Sequence, residues 1–177
     1  MTGALKPEGY MGAVLSDDRK HRYWLWRRWA WSLPMLVVVM FNPSTADEKK
    51  DDLTVQRLCK WAKRWGYGGI LIINLNSHRS SDPRALWGMA EVRRRGDGQE
   101  AAVREALDIA RQQGTPVLAA WGDLASDADI APMVEQIGTL NLICLGTNAS
   151  GSPKHPMARG KARIPDDQEP LPFSLTP

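Results

Sequence analysis

The sequence predicts an α/β fold: a three-layer sandwich around a mainly parallel sheet of about four strands, with an N-terminal antiparallel hairpin strand added. Short apolar runs at residues 35–41, 69–75, 116–121 and 140–145 have the length and β-branched content of strands covered on both faces. Segments with helical spacing separate them, which implies right-handed βα crossovers. Polar motifs follow or end the first three runs, where open α/β sheets collect ligands.

Residues 1–18 contain Gly, Pro and Asp without a period and read as irregular. Residues 22–31 read as a strand, and Ser32-Leu33-Pro34 as a turn that pairs it with residues 35–41 in a hairpin. A helix starts at Asp51 or Asp52 and ends at Gly66, with Val55, Leu58, Cys59, Ala62 and Trp65 on one face. Pro83 opens a short helix through Ala90. Asp97 begins a longer one, with Glu100 completing a capping box and Val103, Ala106, Leu107 and Ala110 facing inward. A further helix covers about residues 129–136, and residues 160–177 are irregular. With no internal repeat and no second core, residues 1–177 read as one domain.

No apolar run approaches the roughly 20 residues of a membrane span, and the first residues lack a signal-peptide pattern. Two cysteines are too few for a disulfide framework or a cysteine-rich metal site. The expectation is a reduced, cytoplasmic protein without membrane contact. A net charge of +3 permits a polyanionic partner without demanding one.

Basic residues gather at Arg19, Lys20, Arg22, Arg27 and Arg28, at Lys60, Lys63 and Arg64, and at Arg93, Arg94 and Arg95. Trp24, Trp26, Trp29 and Trp31 fall within the first group, a pairing of rings and cations that suits single-stranded nucleic acid. The favoured alternative is an amphipathic strand with Trp buried on one face and Arg solvated on the other.

Asn42 follows the first central strand, and Pro43 stops the ladder there. An amide both donates and accepts, so Asn42 can hold a water against a substrate edge; a turn cap is the plainer role. Ser44 and Thr45 can donate to a phosphate. Asp47 is a candidate general base, while Asp52 suits helix capping. Asn74 ends the second strand, where a buried amide needs partners and a base edge would match it; bonding to a neighbouring loop is the alternative. Asn76, His78 and Arg79 continue that segment, with Arg79 suited to a phosphate. His155, beside Lys154 in a Gly- and Pro-rich loop, can stabilise an anion or exchange a proton. No P-loop, Gly-x-Gly-x-x-Gly, Gly-x-Ser-x-Gly, His-x-x-x-His or Cys-x-x-Cys is present, so no metal or cofactor is expected.

The string Asn42-Pro-Ser-Thr-Ala-Asp47, Asp52-x-Thr54, Gly66-Tyr67-Gly68-Gly69, Asn74-Leu75, Arg79, Pro83, Ala120-Trp121-Gly122 and His155-Pro156 resembles domain-of-unknown-function family 1643, a bacterial and phage family. The same order is more distantly similar to the uracil-DNA glycosylase superfamily. That resemblance implies a glycosylase-like fold, Asn42 positioning the attacking water, Asn74 reading the base and His155 stabilising the departing base anion. Arg79 and Pro83 match an Arg-x-x-x-Pro spacing after the base-reading Asn. Met40-Phe41 precedes Asn42 without the usual Gly, and Met157 follows Pro156 in place of Ser.

The resulting expectation is a nucleobase-directed enzyme acting on DNA or a nucleotide, with Asn42, His155 and Asp47 in the chemistry. Phe41, Asn74 and Asn76 would contact the base, and Ser44, Thr45, Arg79 and Lys154 the phosphates. The alternatives are a non-catalytic reader of DNA or modified bases and a phage–host interaction protein on the same scaffold.

Overall fold

A computed structural model describes residues 7–175. Seven strands, β1 (Met11–Leu15), β2 (Arg22–Arg28), β3 (Met35–Met40), β4 (Gly69–Asn74), β5 (Val117–Ala119), β6 (Leu142–Cys144) and β7 (Leu171–Phe173), form one sheet in the order β1-β2-β4-β3-β5-β6-β7. Its helices are α1 (Leu53–Arg64), α2 (Glu91–Arg95), α3 (Gln99–Gln113) and α4 (Asp127–Ile137), with short 3₁₀ helices at Pro83–Gly88 and Gly160–Ala162.

The sheet is mixed, which corrects the expectation of a mainly parallel one. Strands β4, β3, β5 and β6 run parallel, while β2 and β1 extend one edge and β7 the other in antiparallel pairing. The added edge strands carry weak signals. β1 contains Gly12, and β7 is only Leu171-Pro172-Phe173, with a proline tolerable at an edge. Residues 1–18 and 160–177 are therefore not irregular throughout, although residues 1–6 and 176–177 lie outside the described residues.

Residues 22–31 and 35–41 do not form the expected hairpin. β2 pairs with β1 and β4, and β4 lies between β2 and β3. The crossing requires a close backbone approach. A Cβ on Gly68 would sit 2.1 Å from the Ala30 carbonyl oxygen, and one on Gly69 would sit 2.7 Å from that of Arg27. Trp29 and Ala30 amides both donate to the Gly68 carbonyl at that point.

Strand alternation sends Val37, Val39, Leu71 and Ile73 toward α3 and α4, where they meet Val103, Ala106, Leu107 and Met133. Leu36, Val38, Ile70 and Ile72 point the other way, onto Val55, Leu58, Trp61 and Ala62 of α1. This burial on both faces explains why β3 and β4 read as continuous apolar runs.

β2 departs from the amphipathic pattern. Trp24, Leu25 and Trp26 are buried, but so are Arg22 and Arg27. Being interior to the sheet, β2 is covered on one side by α3, whose Ala102 carbonyl accepts the Trp24 indole N–H at 2.7 Å. The segment 43–52 covers the guanidiniums on the other side.

Helix ends follow local chemistry. Asp52 caps α1 by accepting from the Val55 amide. Asp97 and Glu100 do not form a capping box: Gly98 is the cap residue and makes no side-chain cap bond. A Cβ there would stand 2.9 Å from the Tyr23 ring, a contact that only the folded sheet creates. The short helix expected from Pro83 through Ala90 is a 3₁₀ helix that ends at Gly88, followed by the unpredicted α2. No helix among the described residues is long and apolar enough to cross a membrane.

Gly68→Ala should destabilise the protein by about 1–3 kcal/mol, because its Cβ must displace a backbone carbonyl. Gly88→Ala, which meets nothing within 4 Å, should be near neutral. Thermal melts of the pair check this, and equal melting temperatures would remove the role assigned to the crossing.

Candidate functional site

Beyond the carboxyl ends of β3 and β5 the chain turns polar, and a cavity of about 220 Å³ opens between Phe41, Asn42, Pro83, Trp121, Gly122, Asp123, Leu124 and His155. Each wall has a local cause. Phe41 and Asn42 follow β3, and Trp121 and Gly122 follow β5. Pro83 begins its 3₁₀ helix, capped by Asp82 accepting from the Arg84 amide at 3.0 Å. Trp121 is 2% exposed and meets Phe173 edge-to-face.

His155 is delivered by the loop after β6. Gly122 makes this docking possible: its φ is +74°, its amide donates to the Pro153 carbonyl at 3.0 Å, and a Cβ would lie 3.2 Å from the Cβ of His155. On the far side of the loop, Arg57 of α1 donates to the Pro156 carbonyl at 2.6 Å.

Hydrogen bonding fixes the orientation of both polar walls. Asn42 Nδ2 donates to the Pro43 and Ser80 carbonyls at 2.9 and 3.0 Å. Two carbonyl neighbours admit only the NH₂ end, so Oδ1 is left to accept. His155 Nδ1 accepts from the Met157 amide at 3.1 Å, which places the neutral ring's proton on Nε2. Burial pushes the imidazole pKa down to about 4, against a smaller opposing effect from Asp52. His155 is therefore a neutral N–H donor at pH 7.

The segment carrying Asn42 is held from below by β2. Arg27 Nε pairs with Asp51 at 2.6 Å, while Nη2 donates to the Asp47 and Lys50 carbonyls. Arg22 Nη1 donates to the Ala46 carbonyl at 2.8 Å, and burial lowers its pKa to about 10, leaving it charged at neutral pH.

Three sequence candidates, Phe41, Asn42 and His155, meet at the cavity; the others are not among its lining residues. Asn74 is 3% exposed, with neither amide atom partnered among the described residues, and shares the α1 side of the sheet with its register neighbour Met40. Asn76 points to the opposite side and donates to Asp129 at 3.1 Å. Asp47 accepts from the Lys49 and Lys50 amides, which hold its carboxyl below the usual range and make it a weaker base. Ser44 and Thr45 lie on the anchored segment. Arg79 donates weakly to the Arg19 carbonyl, and the Lys154 amide donates to Gly146.

Sequence reasoning did not select Trp121, Gly122, Leu124 and Asp123 as site residues, although Ala120-Trp121-Gly122 stood out as a motif. It also missed Asp129, whose carboxylate accepts from Asn76, Arg94 and Ser126 and locks α2 to α4. The Ser126-x-x-Asp129 capping box was its available signal. Among the described residues no group of three or more His, Cys, Asp and Glu could hold a metal ion.

Gly122→Ala should displace the His155 loop, through the Cβ contact and a positive φ costing about 1–2 kcal/mol. The His155 pKa, followed by NMR titration, should rise from about 4 toward 6.5 as the ring becomes solvated. An unchanged titration would separate Gly122 from the positioning of the ring.

No curated protein and no solved structure matches the chain. One family model, described as "Protein of unknown function (DUF1643)", matches residues 22–157, a span running from β2 through the cavity to the His155 loop. The chain belongs to this family.

Proposed function

We propose that the protein is a nucleobase-directed hydrolase that cleaves the N-glycosidic bond of uracil or a modified pyrimidine, in DNA or in a nucleotide. The observation that carries this reading is one cavity combining Phe41 and Trp121 with a neutral His155 donor and the free Asn42 Oδ1. Cavities for drug-sized ligands run to about 300–1,000 Å³. The smaller volume here suits one planar ring between apolar walls.

In this reading the C–N bond breaks heterolytically and its electron pair leaves with the base. His155 Nε2–H donates to the negative charge developing on the base, and a neutral ring does so without transferring its proton. Asn42 Oδ1 accepts from a water and aims its oxygen at the anomeric carbon, where the new C–O bond forms. That water loses one proton to solvent, and the base anion takes up a proton after release. An oxocarbenium-like transition state requires an oriented water more than a strong base, consistent with an amide in this position.

The distant resemblance to uracil-DNA glycosylases supports the roles of Asn42 and His155, while Asn74, to which it gives the base-reading role, does not line the cavity. A non-catalytic base reader is the second reading. Its support is Asp123, the one carboxylate among the described residues lining the cavity, which accepts from Ser150 Oγ at 2.5 Å instead of standing free as a base.

Incubation with single- and double-stranded DNA carrying uracil or modified pyrimidines, and with the corresponding nucleotides, should release a base detectable by mass spectrometry. Asn42→Ala and His155→Ala should each lower turnover about 10²-fold or more while leaving the fold intact. Full activity in both would overturn the mechanism, and base-dependent binding without release would favour the reader.

The rate should also ignore the ordinary histidine range near 6.5 and fall only as pH approaches about 4. Stability changes differently. The lowered pKa means that stability is complete above the unfolded value of 6.5 and declines as pH falls toward about 4. A pH–rate profile with an acid limb near 6.5 would contradict a neutral His155.

A further inference from the structure

A second cavity, of about 470 Å³, adjoins the first through the chain itself. It is lined by Arg57, Lys60, Met157, Ala158, Arg159, Gly160, Arg163 and Asp166. His155 lines the first cavity and Met157 the second. Two residues span at most about 7 Å between their Cα atoms, so the two cavities share one short stretch of backbone, residues 155–157.

The charges in this second cavity are unequal in kind. Arg57 is fully engaged: it donates to the Pro156 carbonyl at 2.6 Å, to the Ile164 carbonyl at 2.7 Å and to Asp166 at 3.1 Å, and lies over the Trp61 ring. These bonds tie both ends of the segment 156–164 to α1 and neutralise the one lining carboxylate. Lys60, Arg159 and Arg163 are exposed, and their side chains have no hydrogen-bond or ion-pair partner among the described residues. Lys49, Lys50, Arg84, Arg93 and Lys161 are also exposed without a side-chain partner among the described residues but line no cavity with these three, while other surface cations are paired. Lys20 pairs with Asp18, Arg64 with Glu169 and Arg104 with Glu100. Three uncompensated cations around one concavity, on a segment held rigid by Arg57, match the charge of a phosphate.

We propose that Lys60, Arg159 and Arg163 form a phosphate subsite that holds the backbone of a single-stranded nucleic acid next to the base occupying the Phe41–Trp121–His155 cavity. This inference rests on the nucleobase reading of that cavity. It names the polymer rather than the free nucleotide as the substrate class, and it separates phosphate binding from Ser44, Thr45 and Arg79 on the 43–52 side.

The test is a binding titration of the full chain with a fluorescent single-stranded oligodeoxynucleotide over a salt series. The triple variant Lys60→Ala, Arg159→Ala, Arg163→Ala is compared with the charge-matched control Lys20→Ala, Arg64→Ala, Arg104→Ala. Both sets are surface residues, and unchanged melting temperatures would confirm that each variant is folded. At about 0.7 per single-strand phosphate contact, removing three contacts should reduce the slope of log Kd against log salt by about 2. Affinity at low salt should fall at least tenfold, and the control should retain both. Equal losses in the two variants, or no loss in the first, would overturn the subsite. A parallel arm uses a nucleoside monophosphate. If only its binding depends on the three cations, the phosphate belongs to a free nucleotide and the polymer assignment fails. Base release is measured separately, so release with cation-independent binding removes the subsite alone. Cation-dependent binding without release removes the hydrolytic chemistry alone.

Discussion

The candidate site depends on two guanidiniums buried beneath a loop. The twelve-residue connection between β3 and α1 is mostly polar, with only Phe41 and Ala46 buried in the core, yet it must present Asn42 at a defined angle. Arg27 supplies the restraint by meeting the Asp51 carboxylate and the Asp47 and Lys50 carbonyls, and Arg22 adds the Ala46 carbonyl. A buried cation left without its partners costs about 3–5 kcal/mol, so the loop and β2 are ordered together or not at all. This constraint reaches further into the fold. Both arginines are interior because β1 pairs with the outer edge of β2 and keeps it off the sheet's rim, while the 43–52 segment lies over it.

The same economy of polar contacts sets the chemistry of the cavity walls. Asn42 uses both amide hydrogens on carbonyls, and His155 uses Nδ1 on an amide. Each side chain therefore presents one defined function, an acceptor and a donor respectively. Preorganisation of this kind is what makes a hydrogen bond useful in a transition state, since no reorientation is required when charge develops. Burial supports it by keeping the imidazole neutral. The Asn76–Asp129–Arg94 cluster performs a structural version of the same task, tying the end of β4 to α2 and α4.

Parallel strands β4, β3, β5 and β6 bring successive loops to one end of the sheet, which is why segments distant in the chain share a cavity. The residues after β3, β5 and β6 line it directly. Asn74, at the end of β4, remains on the α1 side with an unpartnered amide. A buried amide without partners is costly, and Asn74 is not among the residues that line the cavity.

The sequence alone determined the alternation of buried strands and amphipathic helices, because burial on two faces leaves a continuous apolar run and α1 leaves Val55, Leu58 and Ala62 at helical spacing. It also singled out Asn42 and His155, polar residues that follow apolar strands, and Phe41 as an aromatic ring beside Asn42. Tertiary structure decided what depends on partners remote in the chain. The insertion of β4 beside β2 required Gly68 and Gly69 to meet backbone that local pattern cannot locate. The burial of Arg22 and Arg27 was hidden because an arginine in a strand looks solvated until something covers it. The exclusion of Asn76, whose amide goes to Asp129, and the recruitment of Trp121 and Gly122 were likewise settled by packing. Composition and spacing report what a residue can do; only the neighbours assembled by folding determine which of its hydrogen bonds remain free.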